Sequence, residues 1–339
     1  MRSVNDVLEA AAEPMENPPS ERLRQALGRL VALSDDEKEI VHLRIARALP
    51  DVEAPGGAGI LALWLGATVE RGADPDATAG FVQETLFRWL RSLPEPPEDD
   101  AEPPSSRLSA GLLAGIQMLE TSLIAHMSRS AAALLAFRKH GEARTLVGRA
   151  TDWEAGGMWL REVLNQCSGE LVVLHGTESK GFRVSYRNLS TCFHLFTLLQ
   201  GVLQGQMPGS RKASSQTLAI ARGEKGGETN DSAWWHYGQP SAPVPDLGSS
   251  VWGEGSPDSI ESVEGVQVLL VWPPIMDHRG WDAGFFSPSL QSASPSVTVE
   301  SELLPEEIER WRSRLGLSRN ESPRQSQVSG QDPWWKFWN

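Results

Sequence analysis

The sequence is short of the features by which many functions declare themselves. It holds two cysteines in 339 residues, Cys167 and Cys192, both in apolar surroundings. They read as small buried hydrophobes in a reduced protein rather than as a disulfide framework. The seven histidines form no H-x-x-x-H or H-E-x-x-H pair, and there is no C-x-x-C. No zinc site local in sequence is therefore expected. Gly-rich stretches such as 223–227 lack the Lys-Ser/Thr ending of a phosphate-binding loop, and no cofactor is expected.

Long apolar runs are missing too. The most apolar stretch, 109–137, is interrupted by Gln117, Glu120, His126 and Arg129, whereas a spanning helix needs ~20 predominantly apolar residues. No transmembrane segment is expected. The amino terminus has no apolar signal-peptide core, which points to the cytoplasm. Basic charge is scarce: 31 Lys and Arg against 44 Asp and Glu leave a net charge of −13. That sign works against nucleic acid, whose phosphates need clustered cations. It also gives little attraction to anionic lipid, so no peripheral membrane contact is expected.

What is present is a globular chain, 40% hydrophobic and 22% charged, long enough for two or three domains. Residues 1–93 predict a helical bundle. Leu23, Ala26, Leu27, Leu30 and Val31 follow the helical template after Ser20. Ser34 and Glu37 form a capping box that opens a helix to about Leu49, which Pro50 and the PGG at 55–57 should break. Ala58 to Arg71 predicts a third helix, and Asp74-Pro75 an N-cap and first position for a fourth.

Residues 94–106 hold five prolines and five acidic residues in 13 positions and read as a linker. Residues 107–150 then predict a helical hairpin, or one long helix with a weak point near Ser128. From 151 to 317 the reading is α+β, a mainly antiparallel sheet with helices on one face. A helix over 156–166 leads to Leu171-Val172-Val173-Leu174, a continuous apolar run suited to a strand buried on both faces. Phe182, Val184 and Tyr186 alternate with polar residues in a hairpin partner, with a loop of about five residues between. A helix follows from about Ser190 to Leu203. Residues 205–262 predict mostly loop with a strand at 217–221. Strands at 266–272 and 296–300 and a helix from Pro305 to Leu315 complete the domain, and 318–333 reads as disordered.

Three sets of residues are candidates for function. His175 ends the first central strand, and Asp277 and His278 follow the second. If those strands are parallel neighbours, their C-terminal ends bring the three together as a general-base arrangement for a hydrolase or transferase. Trp234, Trp235, Trp252 and Trp281 sit in polar, turn-like contexts. Large rings there either pin long loops to the sheet or line a ligand or peptide groove. The third set is the ending Trp334-Trp335-Lys336-Phe337-Trp338, four aromatics in five residues. That motif suits anchoring in a protein partner's pocket, docking back on this chain, or an interfacial membrane contact. With no complete catalytic set, the leading expectation is a non-catalytic adaptor that binds another protein through this tail.

Overall fold

The computed structural model describes residues 2–13, 20–95, 104–209, 213–225, 228–229, 235–275, 281–282 and 290–317. Before Cys167 these residues are helical: α1 (Arg2–Ala11), α2 (Glu21–Val31), α3 (Asp35–Ala48), α4 (Pro55–Glu70), α5 (Ala79–Ser92), α6 (Ala110–Arg129), α7 (Ala131–Lys139), α8 (Ala143–Asp152) and α9 (Met158–Asn165). Local chemistry sets several of the boundaries. Ser20 Oγ accepts from the amide of Leu23 at 3.2 Å and starts α2. The Ser34–Glu37 capping box closes in both directions, with the Ser34 amide donating to Glu37 at 3.0 Å.

Three local expectations are corrected. The PGG segment opens α4 instead of breaking the chain, because close packing outweighs the entropic cost of two glycines. A Cβ on Gly57 would collide with the backbone of Ala11. Asp74 makes a turn, accepting from the Asp76 amide at 2.9 Å, and α5 starts later, after Thr78. Thr78 does not cap it with its side chain; its hydroxyl is bonded to His126 at 2.9 Å. Residues 107–150 form three helices, since Ser130 caps α7 through the Ala133 amide at 2.9 Å and residues 140–142 end it.

One hydrophobic core runs through this half, taking in residues from Val4 to Leu164 on both sides of the Pro/acidic segment, together with Ala293 from later in the chain. Its axis is the α4–α6 pair. A Cβ on Gly59 would stand 2.7 Å from the Gly115 Cα, so the two backbones meet where neither helix carries a side chain.

The second half is built from β1 (Cys167–His175), β2 (Gly181–Leu189), α10 (Cys192–Leu203), α11 (Ser215–Ala221), β3 (Glu228–Thr229), β4 (His236–Gly238), β5 (Ser262–Val263), β6 (Val266–Trp272), β7 (Trp281–Asp282), β8 (Ser296–Glu302) and α12 (Pro305–Leu315). The main sheet has the order β4-β6-β1-β2-β8, with β5 also on β6; β3 and β7 form a separate ribbon. The pairings are antiparallel except β1 with β6, which run parallel with His175 opposite Val271. The chain is thus α+β, helices first and a mainly antiparallel sheet after them.

Helices pack on both faces of the sheet, not one, although α12 lies over β1 and β6 and leaves that face of β2 and β8 open to solvent. Leu171, Val173, Leu269 and Val271 pack with α10. Val172, Leu174, Val268, Leu270 and Trp272 pack with Ile308, Trp311 and Leu315 of α12. The alternation of a strand sends neighbouring residues to opposite faces, so the unbroken run in β1 requires cover on both. The strand expected at 217–221 is helix α11, capped by Ser214 through the Thr217 amide at 3.0 Å. Its Thr217, Ile220 and Ala221 are buried at helical spacing.

Candidate functional site

The parallel pairing of β1 and β6 satisfies the condition that would bring their C-terminal ends together. The Gly176 amide donates to the Val271 carbonyl at 2.8 Å and extends the contact beyond His175. Asp277 and His278 lie outside the described residues, so of the three candidates only His175 has described surroundings. Its side chain folds over the following turn, and Nδ1 accepts from the amides of Glu178 at 3.0 Å and Thr177 at 3.3 Å. A neutral ring that accepts at Nδ1 carries its proton on Nε2. Nε2 is buried and has no partner among the described residues. Burial chiefly lowers the pKa of His175; nearby Glu178 opposes this and Arg312 reinforces it.

Arg312, buried on α12, clasps the same turn. Its Nη1 donates to the carbonyls of His175 and Gly176 at 3.3 Å and of Glu178 at 3.4 Å. The Trp272 indole fills the space that a Cβ at Gly176 would need. Chemically, this end of the sheet holds a neutral imidazole committed through Nδ1 to its own loop, with a single N–H left over.

The cysteines are free thiols, Cys192 buried and Cys167 half-buried. Burial, with Asp258 adding to it, pushes Cys167 up to about 11, and burial pushes Cys192 up to about 12. Both are protonated at neutral pH and poor nucleophiles.

The aromatic candidates fall in different settings. Trp235 is buried, and its Nε1 donates to the Pro208 carbonyl at 2.5 Å. It meets Tyr237 edge-on at 6.4 Å, and Tyr237 stacks on Phe196 of α10 at 3.7 Å. These rings fasten the segment after α11 to the sheet. Trp252 is 44% exposed. The next residue, Gly253, accepts from the Phe193 amide at 2.8 Å. Trp281 is described by its strand pairing to Thr229 alone. Trp234 and the motif Trp334, Trp335, Phe337 and Trp338 lie outside the described residues.

The helical half holds polar groups that sequence reasoning passed over as breaks in an apolar run. His126 is fully buried; Nδ1 donates to the Ser122 carbonyl at 2.7 Å and Nε2 accepts from Thr78. Glu120 is buried as well and accepts from the amides of Gly157 at 2.8 Å and Leu160 at 3.4 Å, capping α9 from another helix. Burial raises its pKa, against the lowering effect of those amides. The signal was there: a charge inside an apolar helix must be satisfied by something distant in sequence.

Concavities open among the described residues of this half. A cavity of about 640 Å³ lies between α3 and the α4–α5 loop, with His42 at its wall. Lys38 and Arg71 there oppose Glu39 and Asp74, so neither sign of charge dominates. A smaller apolar recess of about 330 Å³ lies between α4 and α6.

Among the described residues no cluster of His, Cys, Asp and Glu is arranged to hold a metal ion, and no helix is long and apolar enough to cross a membrane. No protein-family model matches the chain, and no curated protein or solved structure matches it either.

Proposed function

We propose that this chain is a non-catalytic, cytoplasmic interaction protein that binds another protein through its aromatic C-terminal motif. The observation that carries the reading is that the central strands β1 and β6 are covered on both faces by residues up to Leu315. These central strands have their cover without Trp334, Trp335, Phe337 and Trp338, which leaves the four rings available to a partner. Four large aromatics on one short segment are the residue types that dominate interface hot spots. The test is affinity purification from the native host, full length against a chain ending at Gly330. Loss of a co-purifying protein with the tail supports the adaptor. Identical eluates contradict it.

A second reading, a hydrolase or transferase using His175, Asp277 and His278, draws on one observation, the parallel β1–β6 pair. Ligands in open sheets gather at the carboxyl ends of parallel strands. Burial of the His175 imidazole and commitment of its Nδ1 to two amides weigh against a general base there. Measured hydrolase activity against generic ester and phosphoester substrates that vanishes in His278→Ala would favour this reading over the first.

A further inference from the structure

The recess between α4 and α6 is almost wholly apolar. Gly66, Ala67, Ser122 and Ala125 keep it open between the larger Leu63 and Ile124, and Glu70 stands at its edge. Leu63 is 40% exposed, and Ala67 is exposed also. The one hydroxyl buried there is already used, since Ser122 Oγ donates to the Ala62 carbonyl at 2.6 Å. α4 is apolar on every side, a pattern that belongs to a helix covered all round. On this side nothing among the described residues covers it.

We propose that the recess is the receptor for the chain's own aromatic motif, Trp334 to Trp338, docked in cis. This rests on reading that motif as a docking segment. A depression lined by small residues between two branched side chains suits a flat ring, which buries its face against them without needing a polar partner. Sixteen residues, 318–333, separate Leu317 from Trp334. At ~3.3–3.6 Å per residue their full reach is about 55 Å, on the order of the diameter of a compact chain of this size. A tether that spans the distance gives an effective concentration of order millimolar, which favours the same chain over a second copy. Charge agrees as well. Lys336 lies in the middle of the motif, and Glu70 is paired across the surface with Arg129 at 3.3 Å. An exposed bridge of this kind is worth only ~0–1 kcal/mol, so Glu70 is available to a second cation. Docked there, the anchor is withheld until a protein partner competes for it.

The test replaces Phe337 of the full-length protein with a photoreactive benzoyl-phenylalanine and maps the cross-links formed on irradiation over a dilution series. Cross-links within one chain to peptides spanning 62–70 or 121–125, independent of concentration and lost in Ala67→Glu, are expected. Ala67 is exposed on a helix, so this substitution leaves the fold intact, which circular dichroism checks. Cross-links to other segments, cross-links only between two copies, persistence in Ala67→Glu, or no cross-link at all would overturn the proposal. A parallel purification keeps the two readings apart. Ala67→Glu should recover the tail-dependent partner several-fold better than the unaltered chain. A partner recovered equally from both proteins contradicts cis docking while leaving the adaptor standing. Eluates unaffected by removal of the tail contradict the adaptor whatever the cross-links show.

Discussion

The two halves of the molecule solve the problem of burial differently. In the sheet half the central strands are packed on both faces, by α10 on one and α12 on the other, and Trp235 and Tyr237 hold the long segment after α11 against the sheet. The helical half is stitched from inside by buried polar groups and leaves an apolar recess outside. The lesson is that the central strands β1 and β6 find cover on both faces among the described residues, whereas the helical half leaves an apolar recess between two of its helices.

Perturbing each half in turn sharpens the contrast. The largest effect is expected from Trp235→Ala, which removes a buried ring and its bond to Pro208. It should cost ~3–5 kcal/mol in denaturant unfolding. Hydrogen exchange should rise in β4 and α10 and stay level in α4 and α6; a rise of equal size in both halves would show that they do not behave separately. Gly115→Val attacks the other half, forcing side-chain atoms against the backbone at Pro55. A loss of ~1–3 kcal/mol or more is expected, with exchange rising first in α4.

Glu120→Ala should cost ~1–3 kcal/mol, because the Gly157 and Leu160 amides lose a buried acceptor. Its raised pKa also has a sign in pH titration. The folded protein holds this proton more tightly than the unfolded chain does. Stability therefore falls as pH rises from the ordinary carboxylate value through the raised one. Glu120→Gln should flatten that part of the stability–pH curve; an unchanged slope would contradict it. Smallest is Ser34→Ala, which opens the α3 capping box for ~0.5–2 kcal/mol, seen as a lowered unfolding midpoint.

Much of this architecture was legible in the residues, where causes are local. The α3 capping box, the β1–β2 hairpin with its five-residue loop, and the α12 helix from Pro305 all follow from side chains within a few positions of each other. Two of the misreadings come from the override of local preference by distant contacts. Pro55-Gly56-Gly57 looks like a breaker, yet it opens α4 because α1 packs against it without room for a Cβ. Asp74-Pro75 looks like the start of α5, yet the helix begins after Thr78, whose hydroxyl is held by His126 on α6. Cover on both faces of the sheet was implied by Leu171-Val172-Val173-Leu174, but which helix would supply it was not. Of the candidate site residues, His175 was correctly marked as the end of a central strand. Its clasp by Arg312 joins residues more than a hundred positions apart and leaves no local trace.

The central claim, that the aromatic motif is an anchor and the helical half its first receptor, is tested most directly by titration. A labelled synthetic peptide of the last eight residues, DPWWKFWN, is added to the chain ending at Gly330, whose three cores lie within residues up to Leu317. Fluorescence anisotropy should show saturable binding that Ala67→Glu removes and Trp252→Ala leaves unchanged. No binding, or binding indifferent to Ala67→Glu, would contradict the account.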